Sequence, residues 1–449
     1  MASTVLSRTL VTGNRQIFTY SAWIKRSDLG EGFLFQGYTS TSSFVHIKFD
    51  SNYKLGVFGK TGGSDQMDLV TSRVFKDVGA FYHVVVAVDT TQSTDTNRVK
   101  VYINGVQETS FSTTSYPSIN TNLEINVSGH IGYIGAQYGT QAYYGGLMSY
   151  VAFVDGSQEL PTAFGETNAA TGIWKVNTSP SVTYGNNGFF LKMDTSSPGT
   201  DTSGKNNTYT ASGTPTLAQD NASNNLATFN SIYKSLNQPT YTNGNLTVTT
   251  SGNEYRLSFS SIAASTGKWY AEFKRVVGTT DEVFLGVSSE NDVNTYFPIT
   301  NEYLGASSKS VGITSGNGKY YISSSATTYA ASYTAGDIIG IALDLTNKKL
   351  YASKNGAWAN GSGAWDSATF NSSTGAIDIS SIIPSGEFGF LGCSNSGTST
   401  FSANFGNGFF GTTAVTSSNA DAAGHGLFEY AVPTGYYTLN TKNLNTYGG

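Results

Sequence analysis

The stretch HVVVAVDTTQSTDTNRVKVYINGV (residues 83–106) decides the fold, and a similar stretch, DIIGIALDLTNKKLYASKNGAW (residues 337–358), follows more than two hundred residues later. Each runs from an alternating apolar segment through an aspartate to a second alternating segment that closes on Asn-Gly. Asn-Gly tolerates the two positive φ angles of a type I′ turn, a tight reversal that matches the twist of paired strands. We expect one such hairpin device in each of two β-sandwiches, and the repeat does not indicate two catalytic centres.

Alternation with period two continues through most of the chain. FTYSAWIKR (residues 18–26), for example, puts Phe18, Tyr20 and Ile24 on one face of a strand. Helical spacing is nearly absent, and only short pieces such as LPTAFGE (residues 160–166) resemble a helical turn. Short strands separated by turns, without intervening helices, indicate sandwiches rather than a parallel sheet. The predicted fold class is therefore all-β, with two antiparallel β-sandwiches in tandem and a short C-terminal extension.

Changes in composition predict the domain boundaries. Between residues 169 and 237 the chain is rich in Gly, Pro, Asn, Ser and Thr, which favours turns and loops. The strand-like GFFLKM (residues 188–193) interrupts this region and is expected to return to the first sandwich. The resulting assignment consists of four segments: a first sandwich (1–205), a linker (206–235), a second sandwich (236–410) and a C-terminal docking extension (411–449).

Composition and charge exclude several classes of partner. The 449 residues carry 25 basic and 30 acidic side chains, a net charge of −5, and no long Lys/Arg cluster, so we expect no nucleic-acid partner. No segment approaches the ~18 apolar residues of a membrane-spanning helix, so no membrane insertion is expected. The single cysteine, Cys393, allows no disulfide within the chain and is expected to be a small buried hydrophobe. MASTVLSRTL (residues 1–10) lacks the apolar core of a signal peptide, which predicts synthesis in a host cytoplasm.

Several motifs, in order, resemble a known family. FTYSAWIKRS, FYHVVVAVD, RVKVYINGV and YYGGLMSYVAFVDG resemble a laminin-G-like, concanavalin-like jelly roll of the kind found in virion structural proteins of tailed bacteriophages, especially marine phages and cyanophages. GETNAATGIWKV and GFFLKMDTSSPGTDTSGKNNT resemble the closing part of that module. GKWYAEF, FLGVSS, GDIIGIALDLTNKKLYASKNG and FSANFG resemble a SPRY domain, itself a concanavalin-like sandwich, and AVPTGYYTLNTKNL resembles the C-terminal ending of the same phage proteins. The resemblance implies two concanavalin-like sandwiches and a place on the virion exterior.

Concanavalin-like sandwiches include glycosidases, whose chemistry depends on paired carboxylates. The Glu-x-Asp-x-x-Glu strand of laminarinase-like members, whose alternation directs three carboxylates into one cleft, does not occur. Asp281 and Glu282 are adjacent and would point to opposite faces of a strand, while Glu290 and Asp292 lie in a loop-like segment. The four histidines, His46, His83, His130 and His425, have no metal-ligand spacing and are expected to be structural. We expect no enzymatic activity and no catalytic residue.

Two kinds of ligand site stay open at this stage. Sugar binding needs aromatic faces on which pyranose rings stack, and the candidate residues in loop-like segments are Tyr138, Tyr143, Tyr144, Tyr296, Trp358 and Trp365. Exposed aromatics serve protein contacts equally well. Laminin-G-like modules sometimes bind calcium, for which Asp89 and Asp95 are the candidates; the alternative is that these aspartates cap turns. No other cofactor is expected.

Three functions are compatible with these observations. The first is a non-enzymatic tail-fibre, receptor-binding or adhesin protein whose loops contact host surface glycans. The second is a capsid decoration or vertex protein that binds only other virion subunits, and the third is an enzyme that degrades surface polysaccharide. No heptad or β-helical shaft is present, which favours a compact unit that docks on other virion proteins. Because phage exteriors are symmetric, we expect a homo-oligomer, with a trimer as the working assumption.

Overall fold

The computed structural model describes residues 4–169, 172–194, 196–233, 235–278, 283–367 and 370–448. The chain divides into two compact units: unit 1 comprises Met1–Leu217 and Asn221–Ser223, and unit 2 comprises Ala218–Asp220 and Asn224–Gly449. The sheets of both units are antiparallel apart from one short parallel pair, so the predicted all-β class is confirmed. No helix among the described residues is long and apolar enough to cross a membrane.

Unit 1 contains sixteen described strands, numbered in chain order: β1 (Val5–Thr9), β2 (Ile17–Arg26), β3 (Gly32–Ser40), β4 (Ser43–Phe49), β5 (Leu55–Thr61), β6 (Ser64–Thr71), β7 (Tyr82–Asp89), β8 (Val99–Ile103), β9 (Val106–Gln107), β10 (Phe111–Ser115), β11 (Ile131–Ile134), β12 (Gly146–Asp155), β13 (Gly165–Thr167), β14 (Trp174–Val176), β15 (Phe189–Leu191) and β16 (Thr210–Ser212). Single 3₁₀ turns occur at Asp95–Asn97 and Pro161–Ala163. The strands form an eight-stranded sheet in the order β10-β6-β5-β4-β3-β11-β1-β16, a six-stranded sheet in the order β15-β12-β2-β7-β8-β9 and the pair β13-β14.

The core of unit 1 lies between its two large sheets. Alternation places Phe18, Tyr20 and Ile24 of β2 inward, where they meet Val45 and Ile47 of β4, and all five are almost completely buried. Burial of this apolar surface is the main term that holds the sandwich together.

Unit 2 contains eighteen described strands: β17 (Thr240–Thr242), β18 (Thr247–Thr250), β19 (Arg256–Phe259), β20 (Lys268–Val277), β21 (Val283–Ser289), β22 (Ser310–Thr314), β23 (Tyr320–Ile322), β24 (Ser325–Thr327), β25 (Ile338–Asp344), β26 (Lys349–Lys354), β27 (Ala357–Ala359), β28 (Trp365–Ser367), β29 (Ile377–Asp378), β30 (Gly389–Asn395), β31 (Ser399–Asn404), β32 (Phe409–Phe410), β33 (Thr413–Ala414) and β34 (Tyr437–Thr438). A π-helical turn (Asp292–Tyr296) and one helix, α1 (Thr441–Tyr447), complete it. A ten-stranded sheet follows the order β17-β18-β31-β20-β25-β26-β27-β28, with β29 beside β26 and β34 beside β20. It packs on a six-stranded sheet in the order β19-β30-β21-β22-β23-β24.

The segments predicted as linker and as docking extension are both built into sandwiches. Within residues 206–235, β16 pairs with β1 in unit 1, while Ala227 and Phe229 are buried in the core of unit 2. In the segment 411–449, β34 runs parallel to β20 and Leu439 enters the same core. Cys393 is buried there too, as expected of a small hydrophobe.

The repeated hairpin device forms in both units in the same way. Asn104 and Gly105 have φ angles of 50° and 82° between β8 and β9, and Asn355 and Gly356 have φ angles of 50° and 84° between β26 and β27. The predicted turn is therefore confirmed. The side-chain oxygen of each Asn also accepts a hydrogen bond from a backbone N–H at the start of the partner strand. Asn104 accepts from His83 (2.8 Å) and Asn355 from Ile338 (2.9 Å).

We predict that Asn355→Ala lowers the free energy of unfolding of unit 2 by about 2 kcal/mol. About half comes from the two lost side-chain hydrogen bonds, one accepted from the Ile338 N–H and one donated to Oδ1 of Asp337 (2.7 Å), and the rest from forcing a residue with a Cβ to keep a positive φ. Asn355→Gly is the matched control, since it relieves the backbone cost and loses only these hydrogen bonds. Calorimetry of the full chain checks the prediction. If unit 2 of the Asn355→Ala variant melted at the same temperature as in the unsubstituted chain, the prediction would be contradicted.

Candidate functional site

Three of the four outward faces of the large sheets are covered by a hydrophobic layer of their own. In unit 1, Val85, Ala87, Tyr102, Ala152, Val154 and Phe190 point outward from the six-stranded sheet into a buried cluster with Phe164 and Tyr184. In unit 2, a second cluster covers the six-stranded sheet and a third covers the ten-stranded sheet. Among the described residues, no such cluster covers the outward face of the eight-stranded sheet of unit 1. This face is the candidate site.

The strand register places aromatic side chains in rows across the eight-stranded sheet. One row joins Asp68, Phe58, His46, Gln36 and Tyr133, which lie opposite one another on β6, β5, β4, β3 and β11. Because residues two apart share a face, the adjacent row joins Lys60 and Phe44, Phe44 and Tyr38, and Tyr38 and Ile131. We call Tyr38, Phe44, Phe58, Tyr133 and Tyr138 the aromatic face. All five are half-buried.

Tyr138 reaches this face from the loop that follows β11. Its backbone N–H donates to Oε1 of Gln36 over 2.8 Å, and its backbone adopts a φ of 52°. The Tyr138 ring contacts Tyr38, with 4.5 Å between ring centroids, and Tyr133 lies 6.3 Å from Tyr38. Gln36 is fully buried, so the loop is held on the sheet by a hydrogen bond to a buried side chain. Three tyrosine rings are thereby positioned before any ligand arrives.

The centre of the face is uncharged at neutral pH. The Gln36 amide donates to Nε2 of His46 over 2.6 Å, because its oxygen is already occupied by Tyr138. Nε2 of His46 is therefore the acceptor nitrogen and Nδ1 carries the proton. The His46 ring stacks on Phe44 with 3.7 Å between centroids. Burial, with a smaller effect of Lys48, lowers the pKa of His46 to about 3.

Charged groups border the aromatic rings. Lys48 pairs with Glu31 (2.5 Å) and lies 5.2 Å from the centroid of the Phe58 ring. Lys60 pairs with Asp65 (3.1 Å). Asp68 forms no ion pair among the described residues; burial, and then the nearby Asp65, raise the pKa of its carboxyl.

The Phe58 ring lies flat along the sheet. A Cβ added to its neighbour Gly56 would come within 2.2 Å of the ring, so a residue larger than glycine would force the ring off the sheet. A ring that lies flat on a rigid sheet presents its face rather than its edge to a planar ligand. The arrangement can stack apolar ring faces and offer hydroxyl and carboxylate oxygens at the margin.

The other two tyrosines of the predicted loop have different surroundings. The Tyr143 hydroxyl donates to the carbonyl oxygen of Gly139 over 3.3 Å, and the residue is half-buried. Tyr144 packs against the core of unit 1, and its hydroxyl is buried. Burial raises the pKa of Tyr144 far above its usual range. We therefore leave Tyr144 out of the aromatic face.

The structure does not bring the three candidates of unit 2 together on one surface. Trp358 is buried in the cluster over the ten-stranded sheet, against Phe370. The Trp365 indole N–H donates to the carbonyl oxygen of Ala331 over 2.7 Å. Tyr296 ends the π-helical turn and packs partly against the cluster over the six-stranded sheet.

The two calcium candidates, Asp89 and Asp95, accept hydrogen bonds from neighbouring residues of the chain. Asp89 ends β7 and accepts hydrogen bonds from the backbone and hydroxyl of Thr91 and from the Gln92 amide. Burial would raise the pKa of Asp89, but these hydrogen bonds outweigh it and lower the pKa. Asp95 is exposed and accepts from the Thr96 N–H. No group of three or more His, Cys, Asp or Glu in the described ranges could hold a metal ion, so these residues fit turn caps better than a calcium site.

A serine–histidine pair on β2 and β7 resembles a nucleophile pair in distance only. Ser21 Oγ lies 2.8 Å from Nε2 of His83, and both residues are fully buried. The Trp174 indole, which can only donate, donates to Nδ1 of His83 over 3.0 Å. The proton of the neutral ring therefore lies on Nε2, and this nitrogen cannot take a proton from Ser21. Of the carboxylates considered above, Asp281 and Glu282 lie outside the described residues, and Asp292 accepts from the Ser307 hydroxyl.

We predict that His83 and His46 stay neutral at pH 5 as opposite tautomers, with the proton on Nε2 of His83 and on Nδ1 of His46. Burial lowers the pKa of His83 to about 3, as it does for His46. A depressed histidine pKa gives stability that is present above the unfolded value near 6.5 and is lost as pH falls towards 3. Two-bond ¹H–¹⁵N spectra of the imidazoles test the tautomers, and either ring titrating near pH 6.5 would contradict the assignment.

Two shallow cavities also lie in unit 1. One, of about 370 Å³, is lined mainly by short polar residues such as Thr178, Ser181 and Thr202, and its aromatic residues Tyr184 and Phe190 are buried in the cluster below. The other, of about 310 Å³, is lined by Gly13, Asn14 and Asp155 among others. Neither presents an exposed aromatic ring, so we rank both below the aromatic face as a place for a sugar to stack.

Most of the aromatic face lies outside the loop-like segments in which the sequence predicts exposed aromatic residues. Tyr38, Phe44, Phe58 and Tyr133 all lie in strands. A signal was available in SFVHIKF, the sequence of β4, where aromatic residues occur on both alternating faces rather than on one. Such a strand either carries a second hydrophobic layer or exposes aromatic rings.

Comparisons with known proteins bear on the fold. Residues 3–159 match a laminin G family model described as the concanavalin A-like lectin/glucanases superfamily, which confirms the concanavalin-like fold of the first sandwich. Among solved structures, the SPRY domain of human HERC1 is 16% identical with a TM-score of 0.29, over 39% of this chain and 96% of that one. The heptameric SAP-like pentraxin of Limulus polyphemus is 18% identical with a TM-score of 0.25, over 33% and 68%.

A third solved structure is domain 4 of AbnA, a GH43 extracellular arabinanase from Geobacillus stearothermophilus, in complex with arabinotriose. It is 22% identical with a TM-score of 0.25, over 33% of this chain and 65% of that one. Likenesses at these values carry no argument about function. No curated protein matches the chain.

Proposed function

We propose that this chain is a non-catalytic carbohydrate-binding protein in which the aromatic face of unit 1 holds a glycan. We further propose, from the family that the sequence resembles, that it is an adhesin or receptor-binding component on the exterior of a phage particle, made in the host cytoplasm and assembled with other virion proteins as a homo-oligomer. One observation carries the binding proposal: the aromatic face lies on the one outward face of the large sheets that no described hydrophobic cluster covers.

Three properties of the face support sugar binding. Its rings lie on neighbouring strands of one rigid sheet, as the register of β3, β4 and β5 shows. The Gln36–Tyr138 hydrogen bond holds the loop in place, so little ordering is left for binding to drive. The histidine at its centre is neutral, which suits an uncharged ligand surface.

A glycan array with the full chain tests the proposal. We expect binding to a limited set of glycans, reduced by Phe44→Ala and Phe58→Ala at unchanged folding. Incubation with the bound glycans should release no new reducing ends, and release would contradict the non-catalytic part. A flat array would contradict carbohydrate binding.

A second candidate function, attachment to neighbouring virion subunits, is favoured by exposed apolar residues of unit 2. Leu236 and Ile299 are 53% and 74% exposed, and both lie close in sequence to the hydrogen bond between the Asn237 and Asn301 side chains. Exposed apolar side chains that lie together are typical of protein contacts. Tyr296, in the same segment as Ile299, would belong to this surface and not to a sugar site.

A further inference from the structure

The aromatic face is too long for a single sugar ring. Its strand-borne rings lie on four neighbouring strands in the order β5, β4, β3 and β11. Neighbouring strands are ~4.8 Å apart, so the rings extend over roughly 14 Å across the sheet. The rows run perpendicular to the strands, and a ligand that contacts all of them must therefore lie across the strands.

The charges around the face disfavour an acidic ligand. Both lysines on the face are already neutralised, Lys48 by Glu31 and Lys60 by Asp65. An anionic sugar would have to break these ion pairs before it could pair with either lysine. Replacing one exposed ion pair by another gives little net free energy. At the β6 end, Asp68 forms no ion pair among the described residues, since the nearby Lys48 is paired with Glu31, and it would repel a second anion.

We propose that the ligand is an extended, uncharged oligosaccharide that lies across β5, β4, β3 and β11, with its sugar rings on Phe58, Phe44, Tyr38 and Tyr133. The inference rests on the proposed function, since it names the ligand class of the same face. Tyr138 would flank the chain on the loop side, because its ring contacts Tyr38 and leaves no room for a sugar between the two. Hydroxyl groups along the chain would meet the tyrosine hydroxyls and the Asp68 carboxylate at the margins.

Calorimetric titration of the full chain tests the inference with two ladders of probes. The neutral ladder consists of gluco-, manno-, galacto- and xylo-oligosaccharides from one to six units, and the acidic ladder consists of oligogalacturonates of the same lengths. We expect the affinity for one neutral series to rise by about 30-fold or more between one and four units and then to level off. The oligogalacturonate of equal length should bind at least about 10-fold more weakly.

Two variants sharpen the test. Phe58→Ala, at the β5 end, should lower the affinity for the longest neutral probe by about 5-fold or more. The affinity for the shortest probe that binds should stay nearly unchanged. Asp68→Asn should reduce the preference for neutral over acidic probes. If Phe58→Ala affects short and long probes equally, the ligand does not lie across the strands.

The outcomes separate the inference from the proposed function. Binding of a monosaccharide as tightly as of longer probes overturns the extended ligand, and tighter, salt-sensitive binding of oligogalacturonate overturns the uncharged one. In both cases carbohydrate binding itself stands. Absence of binding to every probe on both ladders overturns both proposals together.

Discussion

The double variant Tyr38→Ala/Tyr138→Ala is expected to bind neutral oligosaccharides at least about 30-fold more weakly than the unsubstituted chain. The rings of Tyr38 and Tyr138 contact each other, with 4.5 Å between their centroids, and occupy the middle of the aromatic face. Covering two aromatic rings with a ligand contributes about 2–4 kcal/mol, which corresponds to a loss of this size or more. Titration calorimetry measures the affinity, and the melting temperature reports whether unit 1 remains folded.

Tyr296→Ala is the matched control for the double variant. It removes a half-buried tyrosine ring from unit 2, where we propose protein contact and no sugar site. Its affinity for the same oligosaccharide should stay within about twofold of the unsubstituted chain. If Tyr296→Ala abolished binding and the double variant did not, the sugar site would belong to unit 2.

The second large effect concerns Glu272, a fully buried carboxylate on β20. It accepts hydrogen bonds from the backbone N–H groups of Tyr430 (2.8 Å) and Glu429 (2.9 Å), from the Tyr270 hydroxyl (3.2 Å) and from the Asn404 amide (3.3 Å). Two of these donors belong to the C-terminal segment. Glu272 therefore fastens this segment to the outward side of the ten-stranded sheet, where Phe428 and Tyr436 complete the covering cluster.

We predict that Glu272→Ala lowers the free energy of unfolding of unit 2 by about 3–5 kcal/mol, because it leaves several buried donors without an acceptor. Hydrogen exchange should accelerate in residues 427–440 and stay unchanged in unit 1. Glu254→Ala is the control, since the Glu254 side chain is 56% exposed and its loss should cost less than about 0.5 kcal/mol. Equal melting temperatures for the Glu272 and Glu254 variants would contradict the role given to Glu272.

The same carboxylate gives unit 2 a pH dependence opposite to that of unit 1. Burial raises the pKa of Glu272 to about 7 from its ordinary 4.5, although its four hydrogen bonds work in the other direction. A raised carboxyl pKa gives stability that is present below 4.5 and lost as pH rises through 7, by up to about 3 kcal/mol. His46 and His83 make unit 1 lose stability as pH falls below 6.5. As pH rises from 5 to 8, the melting temperatures of the two units should therefore shift in opposite directions, which calorimetry of the full chain would measure.

Much of the fold could be predicted from the sequence because its signals are local. The Asn104-Gly105 and Asn355-Gly356 turns adopt the positive φ angles that the residue types favour. The inward face of β2, with Phe18, Tyr20 and Ile24, follows from alternation alone. These features depend on neighbouring residues and on strand geometry.

The candidate site could be predicted less well because coverage of a sheet is not local. The sequence predicts Trp358 as an exposed aromatic residue in a loop. In the structure it lies in a cluster completed by Phe428 and Tyr436, some seventy residues further along the chain. Tyr144 lies in the loop that carries Tyr138, yet it packs against the core while Tyr138 stays half-buried outside it. Which aromatics are covered depends on where distant segments pack, and alternation does not record that.

A crystal structure of the full chain with a bound neutral tetrasaccharide tests the central claim most directly. We predict sugar rings stacked along Phe58, Phe44 and Tyr38 on the outward face of the eight-stranded sheet, beside the ring of Tyr138. An ordered oligosaccharide in the cavity beside Thr178, or on unit 2, with the aromatic face left bare, would contradict it.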